Sequence, residues 1–517
     1  MSAPETGSPL SAVPPEIEGP RAARDLRADV VRGVGWVLSA QTVIRVLGFV
    51  TMVVLVRLLG PRNIGLAAEA LVFTRLAFLF SDVGLRAVLV QRKELSEADR
   101  STAFWMSALV GAAVSLAVVA LARPIADLFH NADVAPLVAV LSLCVFFTAL
   151  GVTPGGLLAR ELRFRTLELR AVAAAVAGAV AAIVVAVLGY GPWAIVTQVV
   201  VDAAVSTALL WLNVRWLPRF VFSRESLRGL VGFGGYVFGA GVFSYLHRNA
   251  DNFLVGRFLG AAKLGAYSIA YDVMQWPLLA LATPIWNVFF PAMAKIREPR
   301  QIGNIWIRVT RLSTAITAPG YLGMIVLAPD FVVVVFGDRW HDAIAVLQIL
   351  SYVGLIQSLT ILVANVLLTL DRAATFFWLA AVGSVAMVGA FALGLQWGLL
   401  GVTTTYAIAN TPVTFFFLLA AARATGVSLR QFAHAMRGVL GAAAIMALTV
   451  LGARLLLVAE GVPPFARLAI LIALGVLTFV PLCARGAGEV VSEVRELLRH
   501  RAKSRHVATE AGLVVEV

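Results

Sequence analysis

Apolar residues in this chain recur in blocks of about 20, separated by short loops that carry most of the charges. A helix of about 20 residues, rising 1.5 Å per residue, crosses a hydrocarbon core of roughly 30 Å. The pattern therefore predicts an all-α integral membrane protein with about fourteen transmembrane helices. The predicted spans are residues 34–58, 64–90, 102–122, 134–157, 171–188, 193–213, 231–258, 265–290, 310–336, 343–369, 374–396, 399–421, 435–457 and 465–484.

Composition excludes a water-soluble fold of this size. Of the 517 residues, 60% are hydrophobic and 14% are charged, and the mean hydropathy is +0.89. A net charge of +13 would suggest a nucleic-acid partner in a soluble protein, but here the basic residues lie mainly in loops. Thirty of the 42 Lys and Arg residues fall in the two tails, in the loops after even-numbered spans or at the first residues of the spans that follow these loops. Cytoplasmic loops are enriched in Lys and Arg, so both termini are predicted to be cytoplasmic.

An internal repeat divides the chain. Residues 35–70 align without a gap on residues 235–270, so that the RLLG run at 57–60 matches RFLG at 257–260 and Gly65 matches Gly265. Gly191 matches Gly398 at a slightly larger offset. Parallel repeats in transporters pack as two bundles around a central cleft. We therefore expect a disordered tail (1–20), two six-helix lobes (21–214 and 215–422), two further spans (423–485) and a cytoplasmic amphipathic, basic tail (486–517).

Amphipathic segments flank the spans at 21–31, at 215–230 and in the C-terminal tail, where Val490, Val494 and Leu497 share one helical face. They predict helices on the inner membrane surface in contact with anionic lipid headgroups. The two cysteines, Cys144 and Cys483, have no neighbours at metal-ligand spacing, so no metal or cofactor is expected. No nucleotide-binding loop of the G-x(4)-G-K-[ST] type occurs, which indicates transport without direct ATP hydrolysis and no enzymatic activity.

Short motifs accompany the repeat. They are SDVGL at 81–85, RFR at 163–165, GPW at 191–193, RNADN at 248–252, RFLG at 257–260 and LGAYS at 264–268. In this order, and with the repeat and span count, residues 30–485 resemble the polysaccharide transporter family of Wzx-type lipid-linked oligosaccharide flippases. This family belongs to the multidrug/oligosaccharidyl-lipid/polysaccharide exporter (MOP) superfamily. The resemblance implies the V-shaped MOP fold, with two six-helix lobes around a central cavity.

The resemblance also implies a function. A polyprenyl-pyrophosphate-linked oligosaccharide, a precursor of surface lipopolysaccharide or exopolysaccharide, would be moved from the inner to the outer leaflet of the bacterial cytoplasmic membrane. A glycan polymerase or glycosyltransferases would then be candidate partners. The alternative is an ion-coupled multidrug efflux pump of the related MATE branch, which would favour an acidic cavity. A membrane glycosyltransferase or polymerase would favour a large extracytoplasmic loop, whereas the longest predicted here has about eleven residues.

Ionisable groups inside spans are the candidate site residues, because a charge in hydrocarbon costs at least about 2.5–3.5 kcal/mol. Arg45 and Arg75 each lie eleven residues into a span, near the bilayer midplane. Guanidinium groups bind phosphates bidentately and stay charged, which suits a pyrophosphate. The alternative is structural ion pairing, of Arg75 with Asp82 or Glu69 and of Arg248 with Asp251. The other candidates for the central cavity are Gln41, Asp82, His247, Arg248, Asp251, Asp272 and Trp276.

Overall fold

The computed structural model describes residues 20–82, 85, 89–90, 95–223, 245, 249–294, 296 and 298–486, with side chains left undescribed at 20–35, 38, 81–82, 279–292 and 294. Within these ranges the chain is helical and contains no strand. The α-helices are α1 Pro20–Asp82, α2 Glu97–Ala120, α3 Ala122–Leu128, α4 Val134–Arg160, α5 Phe164–Val187, α6 Trp193–Asn213, α7 Ala261–Ala294, α8 Pro299–Phe331, α9 His341–Ser358, α10 Val363–Thr369, α11 Ala373–Gly394, α12 Gly398–Thr425, α13 Leu429–Ala459 and α14 Pro464–Gly486. Residues 249–259 are also helical, and a π-helix (Val332–Phe336) and two 3₁₀ turns (Asp338–Trp340 and Leu395–Trp397) complete the described elements.

The multi-pass membrane architecture is confirmed. Ten segments of the described chain are long and apolar enough to cross a bilayer. Two of them, Ser39–Phe80 and Ala373–Thr425, each overlap two predicted spans, so twelve of the fourteen predicted spans overlap the ten segments. Spans 231–258 and 265–290 lie partly outside the described residues or side chains. The total of fourteen therefore stays a prediction.

The repeat seen in the sequence has a structural counterpart at its turns. Helix α1 bends at Gly60, whose φ of 73° and ψ of 169° are not helical, and Pro61 opens its second arm. Gly260, 200 residues later, has a φ of 83° between the 249–259 helix and α7. Gly191 and Gly398 also share a positive φ, at 57° and 68°. A side chain with a Cβ is disfavoured in this conformation, which explains glycine at the matched turns.

Helices α1 to α6 pack together as a first bundle, and α7 to α12 form a second one. Residues 249–259 join the second bundle through the hydrogen bond between Asp251 and Tyr267 and through Val255, which packs in the same hydrophobic cluster as Tyr267. Two hydrophobic clusters lie where the bundles meet. One contains Leu55, Val56, Leu264 and Tyr267, and the other contains Phe129. The strongest connection between the bundles is the packing of α1 against α7. The kinked α1 is therefore the element that positions the space between the bundles.

Helices α13 and α14 attach to the second bundle through α8. Asp330, at the end of α8, is 1% exposed and is held by two arginines. Arg454 Nε of α13 donates to its Oδ2 at 2.6 Å, and Arg467 Nε of α14 donates to its Oδ1 at 2.6 Å. Since a buried carboxylate is costly unless paired, this contact fixes both extra helices to one point of α8.

The predicted amphipathic helix at 215–230 is wrong for its first part, because residues 214–223 are not helical. This segment instead bonds to the start of α2. Arg219 N donates to Ser101 Oγ at 3.1 Å, Ser223 N donates to Thr102 Oγ1 at 3.0 Å, and Trp105 Nε1 donates to Arg219 O at 2.9 Å. Side chains from a distant helix satisfy the backbone here, which a local pattern does not reveal. Residues 224–230, 1–19 and the tail after 486 lie outside the described chain.

Candidate functional site

The matched turns of the two bundles contact each other directly. A Cβ on Gly65 would lie 1.7 Å from Ala261 O, and a Cβ on Gly265 would lie 2.0 Å from Pro61 O. The offset of 200 residues that relates Pro61 to Ala261 also relates Gly65 to Gly265, so the contact is reciprocal. Only glycine permits this approach of two helix backbones. The repeated glycines therefore mark the place where the bundles meet.

Cationic side chains reinforce the contact in the same reciprocal way. Arg57 of the first bundle donates through Nε to Val335 O at 2.8 Å and through Nη2 to Val334 O in the π-helix of the second. Its repeat partner Arg257 donates from the second bundle to His130 Nδ1 in the first. Trp340 Nε1 donates across to Val56 O at 3.1 Å. We call these contacts, with the glycine pair, the inter-bundle seal.

A cavity of about 190 Å³ lies between the bundles beside this seal. It is far larger than the roughly 10–15 Å³ that one water molecule needs, so it can be wet. Both arms of α1 line it, together with α6, the 249–259 helix and α7. Residues on either side of the Gly60 bend face the same space, for example Val56 and Ile64. The two arms of α1 therefore run side by side along the cavity.

The polar wall of the cavity comes from both bundles. Arg75 on α1 has an exposed side chain, and Asp272 on α7 lies close enough for the two charges to interact. Amide groups of Gln198, Asn249 and Asn252 complete the wall, which also includes Ser268 and Tyr271. Guanidinium and amide donors suit phosphate and sugar oxygens, and the carboxylate suits hydroxyl donors. The arrangement can bind a ligand that is anionic at one point and rich in hydroxyls elsewhere.

Two of the predicted site residues, Arg75 and Asp272, thus lie in one cavity wall; their contact with a substrate stays a prediction. Trp276 lies one turn beyond Asp272 and packs edge-on against Phe49 of α1, with ring centroids 4.9 Å apart. This ring contact joins the bundles near the cavity.

Asp251 points away from the cavity. It is 3% exposed, and its Oδ2 accepts a hydrogen bond of 2.8 Å from Tyr267 Oη inside the second bundle. Its neighbours Asn249 and Asn252, three residues apart on a different face of the helix, line the cavity instead. Asp251 is therefore not among the residues that line this cavity, and its contact with a substrate stays a prediction. The i, i+3 spacing of the two asparagines was the signal that could have found them.

Gln41 and Arg45 lie on the first arm of α1, outside the residues that line the cavity. Gln41 Nε2 donates to Glu168 Oε2 of α5 at 3.3 Å, so it faces the first bundle. Arg45 is half-buried and engaged with a partner, while Gly48, one turn further on, does line the cavity. The role proposed for Arg45 from its midplane position stays a prediction.

The remaining predicted residues lie outside the described structure. Arg248 and His247 are in an undescribed stretch, and the side chain of Asp82 is not described although α1 ends there.

The suggested ion pair between Arg75 and Glu69 is not formed. Glu69 is fully buried and accepts a hydrogen bond of 3.4 Å from Asn131 Nδ2, while its Oε1 has no partner.

Sequence comparison agrees with this architecture. A family model described as polysaccharide biosynthesis protein matches residues 54–345, which include the turns at Gly60 and Gly260 and all the cavity-lining residues except Gly48 and Met52. The chain belongs to this family. This family member is 30% identical over 423 residues to the lipopolysaccharide biosynthesis protein WzxC of Escherichia coli K12, covering 79% of this chain and 84% of the relative. It is 29% identical over 367 residues to the succinoglycan biosynthesis transport protein ExoT of Rhizobium meliloti, covering 71% and 74%.

The same fold occurs in a solved structure. The lipid II flippase MurJ, in an inward closed conformation, superposes with a TM-score of 0.73 at 14% identity, covering 88% of this chain and 99% of the other. At this identity the likeness shows the fold alone. The fold expected for the MOP superfamily is thereby confirmed for this member of the polysaccharide biosynthesis family.

Proposed function

We propose that this protein is a flippase that moves a polyprenyl-pyrophosphate-linked oligosaccharide, a surface polysaccharide precursor, from the inner to the outer leaflet of the bacterial cytoplasmic membrane. Membership of a polysaccharide biosynthesis family supports a glycan as part of the transported molecule. The name of ExoT, a biosynthesis transport protein, supports movement of that glycan rather than its synthesis. The MurJ-like fold is compatible with a lipid-linked substrate.

The observation that carries the proposal is Arg75 in the wall of the inter-bundle cavity. An arginine within a membrane span is retained only where it meets protein, water or a ligand. The pyrophosphate of a lipid-linked glycan is a compact anion that a guanidinium can bind bidentately. Asn249, Asn252, Gln198 and Asp272 provide the hydrogen-bonding groups that sugar hydroxyls need.

The efflux-pump alternative receives less support. A cavity for organic cations should present carboxylates without a competing guanidinium, whereas here Asp272 faces Arg75. The family and its relatives are also named for polysaccharide biosynthesis and not for drug resistance.

The arrangement of the two bundles supports transport by alternating access. The inter-bundle seal closes one end of the space, and the distribution of basic residues supports an extracytoplasmic position for that end, with both termini in the cytoplasm. Opening the seal while the opposite end closes would expose the cavity to the other leaflet. Anionic headgroups at the terminal amphipathic segments, and a glycan polymerase or glycosyltransferases, are the proposed partners.

Complementation tests the proposal. In a bacterial strain that lacks the gene, Arg75→Ala should fail to restore surface polysaccharide and should accumulate lipid-linked oligosaccharide, whereas Arg75→Lys should restore part of it because the charge remains. The matched control is Arg123→Ala, which removes an exposed arginine of α3 outside the cavity. Full restoration by a well-expressed Arg75→Ala variant would contradict the proposal.

A further inference from the structure

A second, apolar cavity of about 720 Å³ lies beside the polar one, between α1, the 249–259 helix and α11. Its walls are mainly the side chains of Phe73, Leu76, Phe253, Val385 and Val388. The hydroxyl of Tyr245, which also lines it, already donates to Val72 O. We call this space the α11 groove. Its chemistry suits a hydrocarbon chain.

The α11 groove adjoins the polar cavity. Val72 and Asn249 line both spaces, so the groove and the cavity meet where α1 contacts the 249–259 helix. Arg75 lies three residues after Val72, about one turn or 5 Å along α1. The boundary between the polar and apolar spaces therefore falls next to the cationic group of the cavity.

The other end of the α11 groove faces lipid. Gly389 lines both the groove and a shallower apolar space of about 760 Å³ between α11 and α12. That space is bordered by large apolar side chains that are at least half exposed, among them Trp397 at 63% and Ile408 at 66%. Val385 in the groove is itself 74% exposed. In a membrane protein such a surface contacts acyl chains. Apolar lining thus extends from residues one turn from Arg75 to the lipid-facing surface of α11 and α12.

We propose that the α11 groove holds the polyprenyl chain of the substrate while its pyrophosphate lies at Arg75; this inference rests on the proposed function. The pyrophosphate joins the glycan to the isoprenoid, so a phosphate bound at Arg75 places the first isoprene units within a few bonds of it. The ligand therefore needs an apolar path that begins beside Arg75 and ends in lipid. The glycan crosses between the bundles, and the chain stays in contact with hydrocarbon throughout.

Photolabelling tests whether the polyprenyl chain occupies the α11 groove. The purified full-length protein in nanodiscs is irradiated with a benzophenone-bearing geranylgeranyl diphosphate, or with a phosphatidylethanolamine that carries the same photoreactive group on an acyl chain. We expect the diphosphate probe to label α11 near residues 384–389, and unlabelled undecaprenyl pyrophosphate to compete. Labelling should be lost in Val388→Trp, which fills the groove, and retained in Val382→Trp, which places the same ring on α11 outside it. Equal labelling of α11 by the phospholipid probe would overturn the proposal, because an ordinary lipid would then occupy the groove.

Complementation separates this inference from the proposed function. We expect Val388→Trp to fail and Val382→Trp to succeed in restoring surface polysaccharide. If Val388→Trp restores surface polysaccharide fully while Arg75→Ala does not, the proposal of a flippase stands and the proposal that the α11 groove holds the polyprenyl chain is contradicted. If the wild-type chain itself restores transport of drugs and not of polysaccharide, both proposals fall.

Discussion

The inter-bundle seal predicts a strong effect of a single methyl group. In Gly65→Ala the new Cβ would lie 1.7 Å from Ala261 O and 2.4 Å from the carbonyl carbon, whereas Cβ contacts below 3.0 Å essentially never occur. Both obstructing atoms are backbone, so no change of rotamer relieves the overlap. The second arm of α1 and α7 must therefore separate by at least about 1.3 Å, the shortfall from 3.0 Å.

The size of the effect follows from the cost of overpacking. Forcing an extra carbon into a packed contact costs about 1–3 kcal/mol. Because the clash exists only while the seal is closed, that cost should lower the ratio of closed to open protein by about five- to 150-fold. Transport should fall as well, since a seal that does not close interrupts the cycle. Gly265→Ala, whose Cβ would lie 2.0 Å from Pro61 O, should act in the same way.

Distances between spin labels measure this shift. Labels at Asp127→Cys and Arg339→Cys report the separation of the bundles at the seal, since both positions are exposed and lie on different bundles. The native Cys144 and Cys483 are buried and should not compete for the label. Gly452→Ala is the matched control, because its Cβ enters open space. An unchanged distance distribution in folded Gly65→Ala and Gly265→Ala protein would refute the reasoning.

Two further variants test other contacts. Arg57→Ala removes the hydrogen bonds to the π-helix carbonyls. The distance between the spin labels should therefore lengthen, though less than in Gly65→Ala. An unchanged distance would show that Arg57 does not hold the seal closed. Asp330→Asn leaves Arg454 and Arg467 without a counter-charge and should cost about 3–5 kcal/mol, seen as a lower Tm in detergent. Glu460→Gln, at an exposed position, should leave the Tm unchanged, and equal Tm values for the two variants would contradict the role of Asp330.

The spans were predictable because the bilayer imposes one length on every crossing. The sixth span, residues 193–213, coincides with α6. The repeat at Gly60 and Gly260 was visible too, since both turns need a positive φ that favours glycine. The reciprocal contact of Gly65 with Ala261 could not be predicted, because it depends on how two helices that are distant in sequence approach each other.

The cavity was only partly predictable, for a related reason. Depth along a span can be counted, and it identified Arg75 as a midplane charge. The face that a residue presents to its neighbours depends on packing. Gln41 turns toward Glu168 of a neighbouring helix, and Asp251 turns toward Tyr267. Asn249 lies in the RNADN run but was not among the predicted site residues, although its amide suits sugar hydroxyls better than a buried carboxylate does.

Flipping in reconstituted vesicles tests the central claim most directly. The vesicles contain an undecaprenyl-pyrophosphate-linked disaccharide with a fluorophore on the sugar, and external dithionite bleaches only the molecules that have reached the outer leaflet. The account predicts that wild-type protein makes the inner-leaflet pool accessible. Arg75→Ala should slow this by about tenfold or more, because a charge-assisted hydrogen bond contributes about 1.5–3 kcal/mol. Equal rates for wild type and Arg75→Ala, or a wild-type rate equal to that of protein-free vesicles, would contradict it.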